Sequence, residues 1–245
     1  MKLPIFLVDA FTDAKFKGNP AGVCILDHDI DDGLMLKIAS EVGASETAYY
    51  NVKTGSLRWF TPKIEIDLCG HATLATVCVL KNQEIIREGQ EIIFKTRSGE
   101  LKAAYVDKKI KMDFPLAEKI DKVEPNSGII EKLGLNKNNI KFYGKSGTKT
   151  LIVVEDENEI KKLTPDFSGL IKEDGFGVLV TAKSSASDRD FTSRYFHPWA
   201  GVNEDPVTGS AHCVLAKYWG EKLSKSRMTG YQASARGGFV EVEIL

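Results

Sequence analysis

The chain of 245 residues lacks any apolar run near the roughly twenty residues that a membrane-spanning helix needs. It has little cysteine: Cys24, Cys69, Cys78 and Cys213, with no CxxC pair and no histidine at zinc-ligand spacing around them. That argues against a zinc or disulfide framework, and the thiols are expected to be reduced, mostly buried, in a cytoplasmic protein. Charge of one sign is missing too: 33 Lys and Arg oppose 34 Asp and Glu, for a net charge of -1. Neither nucleic acid nor an anionic membrane is expected as a partner. No segment is of low complexity. The apolar stretch after Met1 is short and runs straight into a polar loop, so it reads as a first strand rather than a signal peptide.

What the chain does have is a repeat. Arg58-Trp59-Phe60-Thr61-Pro62 is matched by Arg194-Tyr195-Phe196-His197-Pro198, 136 residues later. Cys69-Gly70-His71-Ala72 is matched by Thr208-Gly209-Ser210-Ala211, and Arg97-Ser98-Gly99 by Arg236-Gly237-Gly238, both 139 residues later. One insertion of three residues near Gly201 to Glu204 reconciles the offsets. Three matched segments in the same order predict two lobes of one fold, with a pseudo-twofold relation and a ligand cleft between them.

Each repeat has a short strand, a proline-containing loop, a turn of small residues and then an apolar segment. Ala72 to Leu80 and Ala211 to Ala216 contain no proline or glycine and are apolar all round, which predicts buried central helices. Strand patterns lie at residues 91–96, 101–106, 109–114, 150–154, 177–180 and 239–245. Residues 31–42 and 126–134 read as surface helices, and the polar, two-proline stretch 115–126 as a linker. The expected architecture is an α+β fold of two pseudo-symmetric lobes, 1–114 and 115–245. Each is a curved, mostly antiparallel sheet or barrel wrapped around a central helix, and terminal strands can cross between lobes.

The turns at Gly70-His71 and Gly209-Ser210 open helices. First-turn amides lack partners within a helix and favour anions, and glycine permits close approach. Such ends can hold a carboxylate, or an enolate forming beside one; the alternative is that small residues only pack the helix tightly. Glu46 stands among small residues in Gly43-Ala44-Ser45-Glu46-Thr47-Ala48, a setting that disfavours the charged form and suits acid/base work. Read from composition alone it is a helix-terminal or surface glutamate. His71 can donate a hydrogen bond or pass on a proton. Asp205, before Pro206, is otherwise a turn former. His28, His197 and His212 have no convergent partners in the sequence, and Arg97 and Arg236 either shape turns or are solvated.

Val8-Asp9-Ala10-Phe11, Gly18-Asn19-Pro20-Ala21-Gly22, Ala44-Ser45-Glu46-Thr47-Ala48, Phe60-Thr61-Pro62, Cys69-Gly70-His71-Ala72-Thr73 and Glu204-Asp205-Pro206-Val207-Thr208-Gly209-Ser210-Ala211 together resemble the PhzF-like family. This is the phenazine-biosynthesis-like branch of the diaminopimelate epimerase fold. The resemblance implies cofactor-free isomerisation by proton transfer. It places Glu46, His71 and Asp205 as catalytic residues, with Asn19, Ser45, Gly70, Thr208, Gly209 and Ser210 binding substrate, and no metal. It also implies a small carboxylate substrate and a homodimer. Epimerases and racemases of this fold use a cysteine at each helix start. Here Cys69 faces a sequence counterpart, Thr208, that is a far weaker acid, so a two-thiol racemase is disfavoured. Members of the family often continue past the position of Leu245, so an edge of the second lobe is expected to be trimmed.

Three functions follow. The first is an isomerase in which Glu46 moves a proton beside a carboxylate or conjugated system. The second is a Cys69-based dehydratase or lyase acting on a hydroxy amino acid. The third is a non-catalytic protein that binds a metabolite or partner. The substrate itself is not written in any of these motifs.

Overall fold

The computed structural model describes residues 2–245. The chain divides into two compact units, Met1–Phe114 and Pro115–Leu245. The first begins with β1 (Ile5–Ala10), β2 (Asn19–Leu26), α1 (Asp32–Val42), β3 (Glu46–Asn51), β4 (Leu57–Phe60) and β5 (Glu65–Ile66). It continues with α2 (Gly70–Asn82), β6 (Gln90–Thr96), β7 (Gly99–Val106) and β8 (Lys109–Met112). Strands β1 to β5 form one sheet in sequence order, β2 and β3 being parallel and the other pairs antiparallel. Strands β6 to β8 form a second, antiparallel sheet.

Helix α2 packs against β1, β2 and β3 of one sheet and β7 and β8 of the other. Its residues Ala72, Ala75, Val77, Val79 and Leu80 enter the same core as Val23, Trp59 and Phe94. Enclosure on all sides explains why its sequence is apolar all round and shows no amphipathic stripe. Helix α1 covers the other face of the first sheet through Met35 and Ala39, which meet Cys24, Tyr49 and Phe60. Asp31 caps it by accepting from the Leu34 amide, and Gly43 ends it in the left-handed conformation. The β1–β2 connection needs Gly18: its φ is +65°, and a Cβ there would collide with the Ala10 carbonyl.

The second unit contains β9 (Asp121–Lys122), α3 (Ser127–Leu133), β10 (Ile140–Ser146), β11 (Lys149–Val154), α4 (Glu157–Lys161) and α5 (Phe167–Leu170). It ends with β12 (Gly177–Lys183), β13 (Phe191–His197), β14 (Val202–Asp205), α6 (Gly209–Leu223), β15 (Arg227–Gln232) and β16 (Gly238–Glu243). One sheet runs β16-β15-β13-β12-β11-β10-β9, with β14 also paired to β13. Helix α6 lies on one face, where Ala211, Val214 and Leu215 meet Leu151, Leu179 and Phe191. Helices α3, α4 and α5 cover the other face through Ile129, Leu133, Ile160 and Leu170.

From β1 and from β10 the units share one element order, strand–strand–helix–strand–strand–strand–helix–strand–strand, except that two short helices, α4 and α5, stand where α1 does, β8 is added at the end of the first unit, and β9 and α3 precede the second. They differ where β15 joins β13 in a parallel ladder, whereas β6 meets the start of β4 only at a single parallel bridge, Ser56 to Lys95. Several details differ from the sequence-based expectation. The 115–126 stretch is not a bare linker, because β9 pairs with β10 and Ala117 and Ile120 pack onto the α6 core. The segment at 126–134 is a surface helix whose inner face is buried through Ile129, Ile130 and Leu133. Cys78 and Cys213 are only half-buried. Among the described residues no helix is long and apolar enough to cross a membrane.

Candidate active site

Glu46 is the first residue of β3 and pairs with Ala21 on the parallel strand β2. Cys69 is the N-cap of α2, with extended backbone, and His71 lies in the first turn. These three side chains come together. His71 Nε2 is 3.2 Å from Oε2 of Glu46, and His71 Nδ1 is 3.5 Å from Cys69 Sγ. The imidazole therefore stands between a carboxylate on one nitrogen and a sulfur on the other. The sides of the site are mostly closed, with His71 7% and Cys69 6% exposed.

Burial pushes the Cys69 thiol up, and the adjoining His71 only partly offsets this. Cys69 is thus a thiol, not a thiolate, near neutral pH. Burial alone would lower the basicity of His71, but the Cys69 sulfur and the Glu46 carboxylate more than reverse it, holding the imidazole well above its ordinary value. An imidazole held against a carboxyl group in this way is a pair able to hold and exchange a proton.

Carboxylate, thiol and imidazole are also the donor types of a transition-metal site, and one ligand atom from each lies within 4.8 Å of the others. The sulfur and the carboxylate, however, each approach a different ring nitrogen. A single ion takes one nitrogen of an imidazole, so the geometry suits proton exchange better than chelation by all three.

Asn19 opens β2, two residues before the Ala21 that pairs with Glu46, and is fully buried. Ser45 directly precedes Glu46 and is half-buried. No side chain caps the first-turn amides at Gly70 and His71. They are left at the positive end of the helix dipole.

In the second unit Asp205 is not in a turn, as its neighbour Pro206 suggested, but ends β14, paired with Tyr195. Thr208, N-cap of α6, does not cap its helix either; its hydroxyl bonds Asp205 Oδ2 at 2.6 Å. The first turn at Gly209 and Ser210 again has no side-chain cap.

Sequence reasoning missed Gln232, which has no exposed surface. Its Oε1 accepts from the Thr208 amide at 2.9 Å, and its Nε2 donates to the Asp205 carbonyl at 2.6 Å and to Thr208 Oγ1 at 3.2 Å. One amide thus fixes both Asp205 and the helix start. No local signal announces a partner 24 residues farther along the chain. The repeated arginines were visible but their partners were not. Arg58 forks onto Glu65 with two 2.7 Å bonds, and Arg194 onto Glu204 with bonds of 2.7 and 2.8 Å. Arg97 is not merely solvated, because it also reaches Glu65 at 2.8 Å. His212 has a partner as well: its Nδ1 donates to the Thr208 carbonyl.

Comparison with known proteins places the chain in a family and a fold. The chain is 47% identical to an uncharacterized isomerase of Halalkalibacterium halodurans, covering all of this chain and 92% of that one. A crystal structure of a phenazine biosynthesis protein of the PhzF family from Enterococcus faecalis superposes with a TM-score of 0.93 at 40% identity, over 100% of this chain and 92% of that chain. A predicted epimerase from Pseudomonas aeruginosa shares the fold at a TM-score of 0.74 and 19% identity, over 99% of this chain and 92% of that one. With the PhzC-PhzF profile, described as phenazine biosynthesis-like protein, matching residues 8–245, the chain belongs to that family and has its diaminopimelate epimerase-like fold.

Proposed function

We propose that the protein is a cofactor-independent isomerase that moves a proton next to a carboxylate or conjugated system of a small acid, with Glu46 as the general acid/base. The supporting observation is the Glu46–His71 contact of 3.2 Å at the start of α2. Glu46 takes the substrate proton and returns it on the same face. His71 holds a proton at Nε2 against Glu46 and keeps the carboxylate oriented. The uncapped amides at Gly70 and His71 stabilise the negative charge that develops when the proton leaves. From the second unit, Asp205 orients the substrate or relays the proton, and the Thr208–Gly209–Ser210 turn binds substrate. The isomerase name carried by the Halalkalibacterium halodurans relative supports the same reaction class.

A one-base reaction is favoured by the contrast between the units. Glu46 and His71 are matched in the second unit by Gly177 and Ser210, since Thr47 pairs with Phe60 and Val178 with Phe196, its repeat equivalent. A Cys69-based lyase is less well supported, because burial raises the thiol and leaves little thiolate to act as base.

The test is incubation in D2O with pooled small carboxylic acids, following mass and isomer formation for wild type and Glu46→Gln. A compound that gains deuterium or isomerises with wild type only is the expected result. Equal turnover by Glu46→Gln would remove Glu46 from the role. Saturable binding with neither exchange nor isomerisation would favour a metabolite-binding protein.

A further inference from the structure

An N-cap side chain ordinarily accepts from the amides of its own helix. Neither central helix follows this rule. In the first unit the N-cap is Cys69, and its sulfur turns instead to His71 Nδ1, 3.5 Å away. In the second the N-cap is Thr208, and its hydroxyl turns to Asp205 Oδ2, 2.6 Å away. Each repeat therefore directs its N-cap side chain to a candidate site residue of its own unit.

For His71 this contact has a geometric consequence. The imidazole torsion χ2 is broad and roughly twofold, so the ring has two flipped settings of similar intrinsic energy. Only one presents Nδ1 to the sulfur. The other places a carbon there and forfeits the contact. With Nδ1 engaged, Nε2 is left to face Glu46.

We propose that Cys69 is a positioning residue of this site: its sulfur holds Nδ1 of His71 and thereby fixes Nε2 against Glu46. This deepens the isomerase reading and rests on it for its functional meaning. Cys69 itself removes no proton from substrate. The titratable groups that face His71 are Glu46, from β3, and Cys69, from the helix start. Its two nitrogens thus respond separately to two partners.

The experiment is long-range 1H–15N correlation NMR of uniformly 15N-labelled protein across a pH series. The chain has four histidines, and the His71 ring signals are those absent from His71→Asn. Wild type should show one ring setting, with His71 titrating above the ordinary imidazole value. Cys69→Ser, which keeps a hydrogen-bonding group at the N-cap, should retain that pattern. Cys69→Ala should displace the Nδ1 signal and lower the titration midpoint, because the protonated ring loses the sulfur as its hydrogen-bond acceptor. Glu46→Gln should displace chiefly Nε2. The unchanged signals of His28, His197 and His212 verify the fold of the alanine variant. If Cys69→Ala leaves both His71 nitrogens and the midpoint as in wild type, Cys69 does not position the ring. The NMR measurement uses no substrate, so absence of both exchange and isomerisation in D2O would sink the isomerase reading without touching the positioning role of Cys69.

Discussion

Thr73 and His212 stand 139 residues apart and make the same bond: each side chain donates back to the carbonyl of the residue that opens its helix. Thr73 Oγ1 donates to Cys69 O at 2.7 Å, and His212 Nδ1 donates to Thr208 O at 2.8 Å. The chemistry of the two side chains differs, yet the position and acceptor are kept within the repeat. One consequence concerns pH, because threonine does not titrate and histidine does.

Burial pushes His212 down to about 4, with the Thr208 carbonyl only partly opposing it. The neutral ring is thus preferred in the folded state, while the unfolded chain binds a proton near pH 6.5. Stability from this residue is present above that value and is lost as pH falls from about 6.5 toward 4, by roughly 3 kcal/mol in total. His71, with its basicity raised, acts in the opposite sense and loses its contribution as pH rises through its folded value. The difference between wild type and His212→Asn isolates the first effect. Urea melts at pH 7, 5.5 and 4.5 should show the wild-type advantage shrinking with acid; a constant difference would contradict it.

The paired arginines predict unequal costs. Arg194 is 11% exposed and, besides Glu204, donates to the Ile160 and Leu163 carbonyls. Arg194→Met leaves a half-buried carboxylate and two carbonyls without that donor, and should cost about 2–4 kcal/mol. Arg58→Met should cost about 1–2 kcal/mol, because Arg97 still holds Glu65 and the Asp32 partner is exposed. Equal shifts in chemical denaturation for the two variants would refute this ranking.

Helix α2 was legible because its enclosure is written as apolarity on every face: Ala72 to Leu80 has no charged side to misplace. The repeat was legible because Arg58 and Arg194, with the following Phe and Pro, kept their residue types. Strand β14 was not, since Asp205-Pro206 is a turn signal locally and becomes a strand end only by pairing with Tyr195. The short helices α4 and α5 escaped notice although Asp156 and Asp166 cap them; four or five residues carry too little periodicity. The motif placed Cys69 and His71 two residues apart, but spacing does not say which ring nitrogen meets which partner. Gln232 was invisible, because its role depends wholly on tertiary pairing with Thr208 and Asp205.

Gln232 gives a sharp test of that tertiary control. Gln232→Glu preserves shape but removes the donor that serves the Asp205 carbonyl, and places a carboxylate in a site with no exposed surface. The variant should lose about 2–3 kcal/mol at neutral pH and recover part of it in acid, as the new carboxyl becomes protonated. Gln232→Ala should lose a similar amount without the acid recovery. Thermal melts of both variants at pH 7 and pH 5 separate lost hydrogen bonds from buried charge.

Steric exclusion accounts for the lack of a Glu46 counterpart among the described residues of the second unit. Gly177 holds the matching place at the start of β12, paired with Lys149 as Glu46 is paired with Ala21. A Cβ at Gly177 would collide with the phenol of Tyr195, which is only 3% exposed. Tyr195 thus fills the space that a side chain at this position would take, and Trp59, its repeat partner, leaves Glu46 room in the first unit. Gly177→Ala should therefore destabilise the protein by about 1–3 kcal/mol through overpacking. Gly177→Ala with Tyr195→Phe should recover much of the loss, since the hydroxyl is the nearest colliding group. Neither variant should gain proton exchange, because no second acid/base is introduced. Full stability of Gly177→Ala would mean that the tyrosine moves easily and that steric exclusion does not account for the single carboxylate.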